Sequence, residues 1–490
     1  RGSEHGTLNA NANVSGGDGP LHWYVGATRD RSDGFPLAHD FAATEYEDGG
    51  RRVNSDLERR SLLARVGWRP GAVGSVVASL RVVDAEKGIP WSTVEPVGFT
   101  KFARFDEWRQ VTLSVGYERP LAAEGTLRAQ LYGHLFDNVL DVYEGPELEE
   151  LRLESAFDDT VFGAFLVGER ALGDRHRLGA SLHLRQDRHH AVETFPDGAA
   201  EAVGRYVART AALALEDRVR LGDEVSLVAS VSVENRDVRE AESRRDGVLA
   251  EDPVADATVV SPQAQLRWRP AARWELSVAA YRRSRLPTLR ELYGTQPPNP
   301  ELDEQWARGV DLGVAWSPSS GVAVRADLFT DRVRELIVRE RRDLPYENRD
   351  RAEIRGAELR VDAAVGPAVI GAGWTRLETE LSGAVSDPDW IPWVPRDQGE
   401  LLARVRAGDR LGLDASWVYV GRRTDGRARL LGGFSMLGAG ASVDIGAVEL
   451  GVRVDNLLDA DVSYEPGYPL AGRRVWLAVR VVAGSATGDR

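Results

Sequence analysis

The chain has 490 residues, no cysteine, one methionine and a formal charge of -14 at pH 7, which excludes a disulfide framework, a thiolate metal site and a broad nucleic-acid surface. Nowhere do about 18 consecutive apolar residues occur, so no helical membrane span is encoded. The negative mean hydropathy still suits a membrane barrel, whose apolar residues come only at every second position.

In chain order, the first clear element sets Leu62, Ala64, Val66 and Trp68 against Ser61, Leu63, Arg65 and Gly67, which predicts a strand with one apolar and one watered face. Residues 75–82 repeat the pattern with Arg81 on the polar face, and 177–185 do so with Arg185. The same period returns at 225–234 with Glu234, at 274–280, and at 322–328 with Arg325 and Asp327. The terminal hairpin carries it most strictly: Val448, Leu450, Val452 and Val454 alternate with Glu449, Gly451, Arg453 and Asp455, and Val475, Leu477, Val479 and Val481 come after them. No sustained amphipathic helix competes with these strands. Arg65, Arg81, Arg185, Glu234, Arg325, Asp327, Glu449 and Arg453 are therefore candidates for a polar lumen, with wall ion pairing as the plainer alternative.

Connectors alternate between short turns, such as Arg69-Pro-Gly71, Gly173-Asp-Arg175 and Ala407-Gly-Asp409, and long polar stretches, such as 190–204, 239–256, 286–304 and 381–396. Trp68, Tyr117, Trp268 and Trp316 each stand at a strand end before a short turn, where a ring belongs at headgroup level. Short turns at one rim, long loops at the other and an aromatic girdle predict an all-β fold, a transmembrane antiparallel barrel. Counting back from the last strand gives about 21 strands, and an even number requires about 22. The expectation is a barrel over residues 1–483 and a short tail at 484–490, with the first strand missing or stubbed near Arg1–Gly6. The chain opens at Arg1 and its methionine is Met436, so the lack of a signal peptide carries no information.

Several segments resemble the TonB-dependent receptor family. They are Leu286-Pro-Thr-Leu-Arg-Glu-Leu-Tyr-Gly294 with Asn299-Pro-Glu-Leu-Asp-Glu304, Asp331-Arg-Val-Arg-Glu-Leu-Ile337 with Tyr346-Glu-Asn348, and the closing Asn456-Leu-Leu-Asp459 and Gly467-Tyr-Pro-Leu-Ala-Gly-Arg473. The closing motif is similar to that of the cobalamin- and colicin-receptor-like branch. The resemblance implies an outer-membrane, multi-pass protein of a Gram-negative bacterium that imports a scarce nutrient such as a siderophore, cobalamin or haem. It also implies TonB with its inner-membrane motor as a partner, beside membrane lipids, lipopolysaccharide, the barrel assembly machinery and a small-molecule ligand. The resemblance implies an N-terminal plug and a TonB box ahead of the barrel, which the 490 residues do not include, so a barrel piece of a longer receptor is expected, and the last strand lacks the usual terminal aromatic. A passive, plugless porin-like channel is the alternative, and a soluble all-β protein is a third reading.

Candidate ligand contacts are few. His189-His190 stands at the expected start of a long loop, without a third residue at metal-ligand spacing, so no metal or cofactor is assigned. Tyr293 lies in the mid-barrel motif, and Trp390 and Trp393 share a later loop, where they can stack on a flat ligand or anchor at the outer interface. No catalytic residue is expected: Gly433-Phe-Ser-Met-Leu437 half matches a nucleophile elbow but falls in a strand.

Overall fold

The computed structural model describes residues 2–3, 6–71, 74–95, 100–122, 124–245, 248–295, 297–339, 344–382 and 390–483. Nearly all of its regular structure belongs to one sheet of 23 strands. From Thr7–Asp18 to Arg474–Val481, each long strand pairs antiparallel with the next long one in sequence, as an up-and-down sheet requires. The two-residue strand Gly2–Ser3 pairs with both ends of the series, through Gly2 opposite Leu8 and through Gly2 and Ser3 opposite Leu477 and Trp476.

The alternation read from sequence sorts the side chains. Leu450 and Val452 face Val479 and Leu477 directly across the last pair of strands, and all four are exposed. Leu131 at 65 % and Val479 at 67 % exposure are the rule on this side of the sheet rather than exceptions. An apolar surface of this extent, left uncovered by the protein itself, needs hydrocarbon against it. Trp68, Trp268, Trp274 and Trp316 are exposed beside the short turns, and Trp274 and Trp316 stack with ring centroids 5.5 Å apart.

Strand length separates two sides of the sheet. Leu151–Leu172 runs 22 residues and Val225–Arg245 runs 21, whereas Leu411–Val420 runs 10 and Arg474–Val481 runs 8. About 9–11 tilted residues cross a bilayer, so the longer strands rise well beyond it as a free-standing wall. Two connectors expected as long loops are consequently short. Residues 190–194 and 200–204 continue the strands His176–Thr194 and Ala200–Arg220, and 239–245 extend Val225–Arg245. His189 and His190 thus lie within a strand rather than at the start of a loop. Their charged neighbours gave these segments a loop-like composition, but a wall wetted on both faces needs no apolar alternation.

The buried core lies at the outer end of this wall rather than between layers. Tyr206, Ala208, Val238 and Ala241 from the strands meet Leu292, Tyr293, Leu302 and Ile337. Three of the last four come from the segment 286–304, so the segment expected as a polar loop instead folds inward around one helical turn, Leu289–Tyr293. Residues 484–490, expected as a tail, and 383–389 lie outside the described residues.

Candidate functional site: the outer vestibule

A cavity of about 1750 Å³ opens among the outer halves of the tall strands. Alternation explains its lining. His134, Phe136, Leu140 and Val142 come from one strand, Phe157 and Asp159 from the next, then Arg185, Asp187 and His189, then Tyr206 and Thr210, then Glu234 and Arg236. On each strand these share a parity, opposite to that of lipid-facing residues such as Leu135, Leu184 and Leu213. The segment 284–290 closes one side.

An aromatic ladder crosses the wall. The His189 and Tyr206 rings stack at 5.8 Å with 9° between planes, and Tyr206 stacks on Tyr293 at 5.4 Å and 15°. Asp159 Oδ1 lies 2.6 Å from His189 Nδ1 and fixes that ring. On the neighbouring strands, where Phe136 stands opposite Asp159, Phe105, Trp108 and Phe136 form edge and tilted contacts at 4.7 and 4.8 Å. Gly204 lies where a Cβ would fall 2.5 Å from the Tyr206 hydroxyl, so the absence of a side chain there lets the ring lie against the backbone.

The short helix is built to present Tyr293. Thr288 caps it, its hydroxyl accepting from the Glu291 amide at 3.2 Å, while the Glu291 carboxylate accepts from the Thr288 amide at 2.7 Å. Arg285 adds a bidentate pair to Glu291 at 2.8 and 3.1 Å. Burial works to raise the Glu291 pKa, but Arg285 and Thr288 outweigh it, and the carboxyl sits below its ordinary value. Tyr293 donates to Pro253 O at 3.1 Å, and burial pushes its hydroxyl up to about 12. Arg236, 8 % exposed, donates to Pro287 O, while its Nε meets no acceptor among the described residues.

The lining cations are of two kinds: Arg185 and Arg285 are paired with Asp187 and Glu291, whereas Arg152, Arg236 and Arg290 have no carboxylate within ion-pair distance among the described residues. Cations on low-dielectric walls focus field into a cleft. The arrangement offers an anion a cationic, ring-lined receptacle, and none of these groups forms a nucleophile–base pair.

The five expected ligand contacts separate. His189 and Tyr293 meet through Tyr206. His190 has the opposite parity and faces outward, across from Asp158 and Arg205. Trp390 and Trp393 lie elsewhere: the Arg396 guanidinium stands 4.7 Å from the Trp390 ring, while Trp393 is tied through its amide to Thr424 O at 2.7 Å and through its carbonyl to Tyr464 at 2.8 Å. Sequence reasoning passed over Tyr206, Asp159 and Arg236. The register makes the first two the cross-strand neighbours of His189, but one strand read alone does not show this.

Four of the eight expected lumenal residues, Arg185, Arg325, Asp327 and Arg453, are bound to neighbours two positions along the same strand face. Arg185 pairs with Asp187 at 2.8 Å, Arg325 with Asp327 at 2.7 and 2.8 Å, and Arg453 with Asp455 at 2.8 Å and Asp414 at 2.7 Å. Arg65 donates to Ser79 at 3.2 Å, Glu449 reaches Arg480 at 3.6 Å, and Arg81 stands opposite Leu63 and Thr112.

The family-like motifs are clasps between outer loops. Asn299 donates to Tyr346 O at 2.8 Å, and Asn348 accepts from the Asp303 amide at 2.7 Å while donating to Glu335 O at 3.0 Å. At the seam, Asn456 donates to Ala460 O and Ala471 O, the Gly472 amide to Pro36 O at 2.9 Å, and the Thr93 amide to Gly467 O at 2.9 Å. These contacts join the first loops of the chain to the last. Buried Arg423 braces the same cap, donating to Gly432 O, Ser463 O and Tyr464 O at 3.1, 2.9 and 3.0 Å.

A large antiparallel sheet with an uncovered apolar face, short turns at one rim and a ligand-sized vestibule at the other defines the receptor class of outer-membrane β-proteins. The chain belongs to the family described as TonB dependent receptor-like, beta-barrel, which matches residues 3–457. Its members are receptors and transporters, not enzymes. The fold is similar to that of the copper transporter OprC, at TM-score 0.81 and 15% identity over 98% of this chain and 79% of that one. It is similar to the siderophore receptor PiuA from Acinetobacter baumannii, at 0.80 and 13% over 98% and 80%, and to the ferric citrate transporter FecA, at 0.80 and 14% over 98% and 76%. Among curated protein sequences none matches the chain.

Proposed function

We propose that the chain is the membrane-spanning barrel of an energised outer-membrane importer, and that its vestibule receives a scarce nutrient carried as an anionic, ring-bearing metal chelate. The observation that carries this reading is the vestibule wall, which holds Arg152, Arg236 and Arg290 without carboxylate partners among the described residues and is crossed by the His189–Tyr206–Tyr293 stack. Cations recognise the charge of such a chelate and the rings recognise its faces. Neighbours of the same fold are described as carriers of copper, ferric citrate and siderophores.

In this reading the sheet closes on itself. Of its 23 strands, Val248–Glu251 pairs with the same strand as Asp256–Ala271 and continues that stave, which leaves 23 − 1 = 22 staves, the first being Gly2–Ser3. The loop contacts between the first and last parts of the chain support closure. TonB and its motor act through a plug seated in the lumen, against a wall whose arginines are already neutralised by Asp187, Asp327 and Asp455 and so do not hold the plug fast.

Growth and radiolabelled uptake with ferric citrate, ferric catecholate and cupric chelates test the proposal, in cells expressing the full-length receptor with and without TonB. Uptake of one chelate that stops when TonB is removed supports it. Uptake that persists without TonB and rises linearly with concentration refutes it in favour of a passive channel.

A further inference from the structure

On the lipid side of three neighbouring strands, parity and register assemble a group of cations that the vestibule does not use. Val310, Leu312, Val314 and Trp316 face outward on Gln305–Ser319, so Trp306 and Arg308 on the same strand face outward as well. Arg308 stands directly opposite Arg282 on one side and Arg332 on the other, and Trp306 stands opposite Arg334. The guanidinium carbons of Arg282, Arg308 and Arg334 lie 5.2, 4.9 and 5.9 Å from the Trp306 ring centre.

Like charges placed opposite one another across strands repel. Here the neutralising carboxylates are too few: Glu304 pairs with Arg282 and Glu353 with Arg332, the latter at 3.4 Å and shared with Arg355. Among the described residues no carboxylate is within ion-pair distance of Arg308 or Arg334, and both are exposed, whereas the lumenal arginines are tied down. Such a cluster in an acidic chain calls for an anion from outside.

Height identifies the source. Trp306 and the inner-girdle Trp316 are ten residues apart on one strand, roughly 33 Å at about 3.3 Å per residue, or roughly 25 Å across the membrane at a tilt of about 40°, the thickness of the apolar band. The cluster therefore sits at the outer headgroup level. We propose that Arg282, Arg308, Arg332 and Arg334, grouped about Trp306, bind the phosphate groups of a glycolipid in the outer leaflet. This rests on the reading of the chain as an outer-membrane barrel. Guanidinium forks match phosphate oxygens, and the indole marks the interface at which the phosphates lie.

The test inserts the full-length protein into phosphatidylethanolamine vesicles, alone or with bis-phosphorylated or dephosphorylated lipid A, and tracks thermal unfolding. The bis-phosphorylated lipid is expected to raise the unfolding midpoint by several degrees, whereas the dephosphorylated lipid and soluble inorganic phosphate leave it unchanged. R308A/R334A is expected to lose most of the rise while keeping the circular dichroism and midpoint of the parent in phosphatidylethanolamine alone. An inserted protein that responds equally to both lipids, or a variant that keeps the full rise, overturns the site. A chain that inserts into no vesicle overturns the barrel reading and the site with it.

Discussion

Tyr206 joins the tall wall to the inward-folded segment, and its replacement tests whether stacking holds the vestibule together. The ring is 8 % exposed and lies between His189 and Tyr293. Among the described residues its hydroxyl makes only long contacts, 3.4 Å to Ser243 and 3.4 Å to Tyr293 O. Truncating a buried aromatic to alanine costs about 3–5 kcal/mol, and each lost stack accounts for about 0.5–1.5 kcal/mol of interaction. Tyr206→Ala is therefore expected to release the 286–294 segment, with a rise of about 100-fold or more in its amide exchange, since about 1.4 kcal/mol is a factor of ten. Tyr206→Phe keeps both stacks and gives up contacts worth about 1 kcal/mol or less at that length, so it is expected to stay within tenfold of the parent. Hydrogen exchange of 286–294 in detergent micelles, with barrel unfolding measured separately, reads both. If Tyr206→Phe loosens the segment as much as Tyr206→Ala, the hydroxyl rather than the ring is the fastener and the ladder argument fails.

Three further outcomes concern other parts of the outer end. Glu291 titrates below the usual glutamate range, so its clasp is fully formed above that range and is lost as the pH falls through the folded value; the protection of 286–294, taken relative to intrinsic exchange, should fall below about pH 4 in the parent and be lower but independent of pH over that range in Glu291→Gln. A Cβ on Gly472 would fall 2.5 Å from Leu37 O, so Gly472→Ala should separate the first and last loops and expose residues 36–52 to protease, with the barrel's melting point little changed. Arg423→Met removes the donor shared by the carbonyls of Gly432, Ser463 and Tyr464, at about 0.5–1.5 kcal/mol for each hydrogen bond, and faster exchange confined to 422–432 and 462–471 is the expected readout.

The membrane-crossing part of the fold was legible because lipid on one side and water on the other force a period of two, as Leu450–Val454 against Glu449–Arg453 shows. The outer wall was less legible. Beyond the bilayer both faces of a strand are wet, and the polar stretch 190–204 read as a loop although 190–194 and 200–204 are strand. His189 and Tyr293 were named singly, as polar and aromatic residues in suggestive segments, without the contact that joins them. Tyr206 and Arg236 were not, because what recommends them is the residue across the strand, and cross-strand register is set by hydrogen bonding over distances that a linear reading does not measure. The motifs at 286–304 and 456–473 were recognised as family-like. Their physical role as loop clasps emerged only once Asn299 met Tyr346 and Gly472 met Pro36.

The central claim is that the chain crosses the outer membrane with short turns inside and the vestibule outside. The absence of cysteine makes single-cysteine labelling clean. Ala199→Cys, on the outer hairpin between Thr194 and Ala200, and Asp409→Cys, on a short turn, are compared in cells using a thiol reagent that does not cross the outer membrane. The account predicts labelling of Ala199→Cys in intact cells and of Asp409→Cys only after permeabilisation. Equal labelling of both, or the reverse order, contradicts it.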